Sequence, residues 1–192
     1  IQATMECLSG LRIGGSQDDL QIGGTDLPVI KHPVTLAPYV PGSSLKGKMR
    51  AELEKQRGVS GSDPCRCART DCPVCRVFGP HKKPDHQLGP TRLLVRDGAL
   101  SYDCGIEIKY ETAVDRRTGT ALRGSLRPME RIGAGSKFEI EIKLQVYESD
   151  AEFQYSNKTG KDALLEVVRD GLRLVQETGL GGATSRGSGH IR

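Results

Sequence analysis

Residues 137–148 read Lys-Phe-Glu-Ile-Glu-Ile-Lys-Leu-Gln-Val-Tyr-Glu, and Phe138, Ile140, Ile142, Leu144 and Val146 occupy every second position. Strict alternation puts these apolar side chains on one face of an extended strand and the polar ones on the other. The segment therefore reads as a half-buried strand with a core on one side. Just upstream, residues 92–100 (RLLVRDGAL) read as a partner strand. Downstream, Leu164, Val168, Leu172 and Val175 recur at helical spacing until Gly179 opens a glycine-rich loop. Nearer the start, Leu45, Met49 and Leu53 recur every four residues, with Ser43 and Ser44 as N-cap candidates and Gly58 as the stop. Strand-like segments stand at both ends, up to Ile13 and at the closing GHIR. The resulting β-α-β-β-α-β order is that of a ferredoxin-like, RRM-like α+β core, an antiparallel sheet with both helices on one face.

The 192 residues suit one domain, 1–192. The core elements use about half of that length. The rest falls in three insertions, residues 14–42, 58–91 and 101–135, and long segments of this kind in a compact domain are usually functional or disordered. Function is to be sought there. No apolar run approaches the roughly 20 residues that cross a bilayer. The opening IQATMECLSG lacks the regions of a signal peptide, so a soluble cytoplasmic protein with no membrane partner is expected. Lys and Arg number 28 against 24 Asp and Glu, a net charge of +4 that permits a nucleic-acid partner without demanding one. Aromatics at 4% with no Trp leave little for base-stacking platforms.

Of six cysteines, Cys65, Cys67, Cys72 and Cys75 crowd into eleven residues as CxC and CxxC pairs. Four thiolates at these spacings close a tetrahedral structural zinc site with no position open to substrate. Free buried cysteines are the plainer alternative, but Asp63, Pro64, Arg66, Arg69, Asp71 and Pro73 make the surroundings too polar for it. His81 and His86 follow closely and stay outside the assigned set as loop histidines.

Gly42, Gly47 and Lys48 match the spacing of a phosphate-binding GxxxxGK loop, but Met49 stands where Ser or Thr would hold Mg²⁺. The apolar spacing also puts Lys46, Gly47 and Lys48 inside the helix, so nucleotide hydrolysis is not expected. What remains is a helix N-terminus with Ser43 and Ser44 followed by Lys46, Lys48 and Arg50, a suitable phosphate contact or else a solvated basic face. Residues 109–131 carry Lys109, Arg116, Arg117, Arg123, Arg127 and Arg131 around a turn at Thr118-Gly119, which suits a projecting basic hairpin. The closing loop places five glycines within eleven residues, with Gly182, Ser185 and Arg186 able to approach a phosphate backbone. Asp26, in Gly23-Gly24-Thr25-Asp26-Leu27-Pro28, can bind a divalent cation, accept a proton, or simply form a turn.

Taken in order, GGTDLPVIKHPVTLAPYVPGSSLKGKMRAELE, the cysteine insertion closing at CRVFG, ETAVDRRTGTALRGSLRPMERIGAGSKF and GLGGATSRGSGHI form one pattern across nearly the whole chain. It resembles the RAMP superfamily, and more narrowly the Csm-type, Cas-seven-like backbone subunits of type III CRISPR effector complexes. The cysteine cluster resembles zinc-bearing members, of the III-D or III-E kind. The resemblance implies copies lined up in a filament on CRISPR guide RNA beside other effector subunits, with a thumb-like hairpin, residues 109–131, interrupting the guide–target duplex. It implies guide contacts at Ser43, Ser44, Lys46, Lys48, Arg50, Gly182, Ser185 and Arg186.

The resemblance also implies cleavage of target RNA that depends on Asp26, with Mg²⁺ or another divalent metal. RNA carries its own nucleophile, the 2′-hydroxyl beside each phosphate, so positioning and one carboxylate suffice. Asp26 would hold the metal or take the hydroxyl proton. Rival expectations are a scaffold subunit that binds guide RNA without cutting, a nuclease that processes precursor guide RNA, and a zinc-module nucleic-acid binder.

Overall fold

The computed structural model describes residues 1–14, 27–59 and 61–192; Asp26 lies outside the described residues. In chain order the elements are β1 (Gln2–Glu6), β2 (Tyr39–Val40), α1 (Gly42–Gln56), α2 (Pro73–Phe78), β3 (Leu93–Val95), β4 (Gly98–Tyr102), β5 (Ile106–Glu111), β6 (Arg127–Ile132), β7 (Lys137–Leu144), β8 (Gln154–Tyr155), β9 (Lys158–Thr159) and α3 (Gly160–Thr178). The protein is a mixed α/β structure whose strands pair antiparallel. Two compact units share these elements, and each is assembled from three separate stretches of chain.

The first unit comprises Ile1–Ala3, Pro41–Gly98 and Ile140–Thr178. Leu45, Met49 and Leu53 of α1 are buried, as are Leu164, Val167, Val168 and Val175 of α3. Each such side chain contributes roughly 1.5–3 kcal/mol by leaving water. Gly171 of α3 lets the helices close up, since a Cβ there would stand 3.2 Å from Met49 Cε and 3.3 Å from Leu53 Cδ1. β3 pairs with the end of β7 through Leu93–Leu144 and Val95–Ile142. A tight β8–β9 hairpin, with Ser156 and Asn157 at φ 48° and 60°, leads directly into α3. Buried beneath the loop after β7, Asp150 accepts from both Nε and Nη2 of the equally buried Arg92, at 3.0 and 2.8 Å.

The second unit comprises Thr4–Val40, Ala99–Glu139 and Gly179–Arg192. Its strands run in the order β1-β7-β4-β2, with Ala99–Glu139 and Leu100–Phe138 as cross-strand pairs. β5 and β6 form a separate two-stranded hairpin, in register from Ile106–Ile132 to Glu111–Arg127. Phe138, Leu11, Ile132, Met129 and Leu180 are buried in this unit.

The alternating strand and both long helices stand where periodicity puts them, and Phe138, Ile140 and Ile142 face the core, but the strand stops at Leu144 and Val146 beyond it is exposed. Other expectations need correction. Residues 92–100 are two strands, interrupted at Arg96–Asp97, where the Asp97 side chain accepts from Gly42 N at 2.7 Å. Pro41, and neither Ser43 nor Ser44, is the N-cap of α1. The closing segment is no full strand but a single bridge, Cys7–Ile191. The short helix α2 goes unannounced in the sequence because six residues are too few to show a helical period.

Candidate nucleic-acid surfaces and metal cluster

Pro73 at the first position of α2 makes Cys72 the N-cap, and the Cys72 sulfur accepts from the Cys75 N–H. That local geometry turns two thiols toward the CxC pair arriving from residues 65–67. All four sulfurs lie within 4.8 Å of one another. Individual separations are 4.0 Å for Cys65–Cys72, 3.7 Å for Cys67–Cys75 and 3.6 Å for Cys65–Cys75. A Zn–S bond of about 2.3 Å in a tetrahedron demands sulfurs roughly 3.8 Å apart. The cluster can thus hold a metal ion and is compatible with structural zinc.

The protons of the cluster make the same point. A hydrogen bond from Cys75 drives the Cys72 thiol down to about 5, against the opposing effect of burial. That same bond and burial push Cys75 up, and burial raises Cys65 as well. Four close thiols cannot all ionise without a cation to compensate them. Among the described residues the cluster contains no histidine. His81 contributes its backbone N–H to Cys65 O at 3.1 Å, and His86 Nδ1 accepts from Leu88 N at 3.2 Å.

On α1, the three cations proposed for phosphate are engaged within the unit. Lys46 Nζ donates to Leu93 O at 2.7 Å, and burial, reinforced by the Arg50 charge, pushes its ammonium down. Lys48 pairs with Glu52 at 2.7 Å. Arg50 pairs with Glu54 at 2.9 Å and donates from Nη2 to Cys65 O at 2.7 Å. The helix N-terminus already carries the Asp97 carboxylate on Gly42, while Ser43 is exposed and Ser44 half-buried.

In the second unit, the hairpin and the closing loop meet. Lys109 Nζ donates to Arg186 O at 2.5 Å, and Arg186 Nε pairs with Glu111 at 2.9 Å. Arg131 pairs with Glu107 at 2.6 Å and donates to Ser188 Oγ at 3.2 Å. Arg116, Arg117, Arg123 and Arg127 are exposed, and no side-chain partner for them occurs among the described residues. Gly182 donates its N–H to Arg12 O at 2.7 Å, and Thr184, Ser185 and Arg186 form a short 3₁₀ turn. Two of the loop glycines serve the fold itself. A Cβ on Gly181 would lie 2.1 Å from Arg12 O, and one on Gly189 2.0 Å from Leu180 O, both at positive φ.

The segment following Asp26 is tied to β6. Glu130 N donates to Leu27 O at 3.2 Å, Glu130 Oε2 accepts from Val29 N at 3.2 Å, and Lys31 pairs with the same oxygen at 3.5 Å.

From the sequence, Glu111 and Glu130 count only as negative charges set against the cations of residues 109–131, without partners, and Glu107 and Asp97 go unnoticed. A signal was there in IEIKYE. Its alternation puts Ile106, Ile108 and Tyr110 on one face and Glu107, Lys109 and Glu111 on the other; the apolar face is the exposed one.

A family model described as the RAMP superfamily matches residues 4–192. The chain is 39% identical to the CRISPR system Cms endoribonuclease Csm3 of Methanothermobacter thermautotrophicus, over 96% of this chain and 79% of that protein. It is 38% identical to the Csm3 of Methanocaldococcus jannaschii over 100% of this chain and 77% of the relative. The Csm3 of Streptococcus thermophilus is 38% identical over 95% and 81%. Among solved structures, a chain of the Csm3–Csm4 subcomplex of a type III-A CRISPR-Cas interference complex matches with a TM-score of 0.53. That match has 24% identity and covers 100% of this chain and 71% of the other. With the antiparallel mixed fold, a family match over nearly every residue and these identities in agreement, the chain belongs to the RAMP superfamily.

Proposed function

We propose that this chain is a guide-RNA-binding backbone subunit of a type III CRISPR effector complex and an endoribonuclease that cuts complementary target RNA. The observation that carries the reading is the 38–39% identity, over 95–100% of the chain, to proteins named as CRISPR system endoribonucleases. In this reading the chain works as one RAMP domain, 1–192, on a ferredoxin-like core. Residues 58–91 are its zinc insertion, residues 101–135 its thumb, and residues 14–42 hold the catalytic loop. Copies of the chain and other effector subunits line one guide in the cytoplasm.

The exposed Arg116, Arg117, Arg123 and Arg127 are the cations best placed to meet phosphate, since they spend no charge on internal partners among the described residues. Lys109, Arg131, Gly182, Ser185 and Arg186 would shape the base of the same surface. On α1 the guide contacts are Ser43, Ser44, Lys46, Lys48 and Arg50; with the three cations internally paired, the exposed Ser43 is the most accessible.

Cleavage then proceeds by attack of a target 2′-oxygen on the adjacent phosphorus, with the 5′-oxygen leaving. Asp26 takes the hydroxyl proton or holds a divalent cation. The chain that follows Asp26 is anchored at Leu27, Val29 and Lys31 on Glu130. Cys65, Cys67, Cys72 and Cys75 would hold zinc, which when bound stiffens an insertion too polar for a core of its own. The cluster is also what favours a III-D or III-E affinity over the simplest type III-A subunits.

The test is Asp26→Asn in the assembled complex, with guide-matched RNA. Cleavage should disappear while guide and target affinity stay within a few-fold. A single 2′-deoxyribose at the cut should block that cut alone. Unchanged cutting by the Asn variant would leave the scaffold reading in its place.

A further inference from the structure

The metal cluster is coupled to helix α1 through the backbone of one residue, Cys65. Cys65 and Cys67 are the two ligands that come from outside α2 and its cap, and the position of Cys65 depends on what holds its backbone. Both of its backbone polar atoms are held by α1. Glu54 Oε1 accepts from Cys65 N at 2.8 Å, and Arg50 Nη2 donates to Cys65 O at 2.7 Å. The two side chains are also locked to one another, Arg50 Nε to Glu54 Oε1 at 2.9 Å. Their side chains are only 17% and 11% exposed, so water competes weakly for these bonds. The same carbonyl oxygen receives His81 N at 3.1 Å and lies 3.7 Å from Cys75 Sγ. The fork of a guanidinium suits this double duty, which a lysine cannot perform.

We propose that Arg50 and Glu54 form a clamp that pre-organises Cys65 for zinc, so that the affinity of the cluster is set from helix α1. This rests on reading the four cysteines as a zinc site. Both residues act through Cys65 and touch no metal, so they are positioning residues. Groups that orient metal ligands typically govern affinity by about 10–100-fold. The spacing is legible once seen: Arg50 and Glu54 lie one turn apart on α1, and Cys65 follows eleven residues after Glu54.

The experiment is zinc competition between the full chain and a chromogenic chelator, comparing wild type with Glu54→Ala, Arg50→Lys and Glu52→Ala. Glu52 lies on the same helix and pairs with Lys48 and Lys55, away from the cysteines, so it controls for helix damage. The clamp predicts one zinc per wild-type chain and a loss of affinity of about 10–100-fold for Glu54→Ala. It predicts a smaller loss for Arg50→Lys and an unchanged Glu52→Ala. Cobalt(II) substitution gives a second readout: wild type and Arg50→Lys should both show tetrahedral thiolate bands, with the variant releasing cobalt faster. Wild-type affinity in both Glu54→Ala and Arg50→Lys would overturn the clamp while leaving the zinc site standing. Equal losses in Glu52→Ala and Glu54→Ala would overturn it too, as a general effect on α1. A wild-type chain that binds neither zinc nor cobalt would overturn the zinc reading itself.

Discussion

Glu130 on β6 holds the Val29 N–H with a carboxylate oxygen at 3.2 Å, and its own backbone N–H holds Leu27 O at 3.2 Å. A strand residue thus fixes two points of the loop that begins one residue after Asp26. If Asp26 serves the cut, loosening the segment that follows it should impair cleavage. In single-turnover assays of the assembled complex, Glu130→Ala should slow cleavage by roughly ten- to a hundredfold, because small misplacements of a reacting group carry losses of that order. Guide affinity should be unaffected. Glu130→Gln keeps an acceptor for Val29 and should recover much of the rate; failure of that rescue would assign the effect to the Lys31 ion pair instead.

Glu111, on the β5–β6 hairpin, neutralises two cations, pairing with Arg186 at 2.9 Å and Lys109 at 3.4 Å. Burial alone would raise its carboxyl, but the Arg186 hydrogen bond and both positive charges hold it below the usual range. Glu111→Gln should free both cations for phosphate. RNA binding should tighten at low salt, and the slope of log affinity against log salt should steepen by about one for each phosphate gained. The gain should be the same for RNAs of different sequence, since phosphate contacts carry no base information.

Asp150 and Arg92 form a buried pair, supported by Arg76 at 3.3 Å from Asp150 and by the Tyr147 ring 4.9 Å from the Arg92 guanidinium. Arg92→Met would leave a buried carboxylate with one remaining cation, at an expected loss of about 3–5 kcal/mol in denaturant unfolding. Burial pushes the Asp150 carboxyl up, but the Arg92 hydrogen bonds, the Tyr147 N–H and the two guanidinium charges outweigh it and hold it below its ordinary 3.8. A lowered native value means the stabilisation is complete above the ordinary carboxyl value. It is lost as pH falls from there through the lower native one. Asp150→Asn should therefore unfold more easily at neutral pH and show a weaker acid dependence than wild type below pH of about 4.

If the four cysteines hold zinc, chelation should loosen the segment around them and leave most of the protein folded. Hydrogen exchange after chelation should quicken in residues 65–78 and in the last turns of α1, which hold Cys65. The α3 core, where Leu164, Val167 and Val168 are buried, should stay protected. Uniform loss of protection throughout the chain would contradict a local role for the cluster.

Local chemistry alone determined a large part of this protein. Alternation from Lys137 to Leu144 specified β7, though the same pattern overran the strand to Val146; helical spacing specified α1 and α3, and CxC followed by CxxC specified a cluster whose sulfurs do meet. These features are set by neighbours in sequence, within reach of one turn or one strand. Tertiary structure alone decided which charges remain available. Lys46, Lys48 and Arg50 look like a free basic face until Leu93 O, Glu52 and Cys65 O are seen to take them. Asp97 lies fifty-five residues from the helix N-terminus it caps, and Glu111 seventy-five from the arginine it neutralises. A sequence shows every charge, but hydrogen-bond geometry is satisfied only over a few ångströms, and only the folded chain brings those partners within that range.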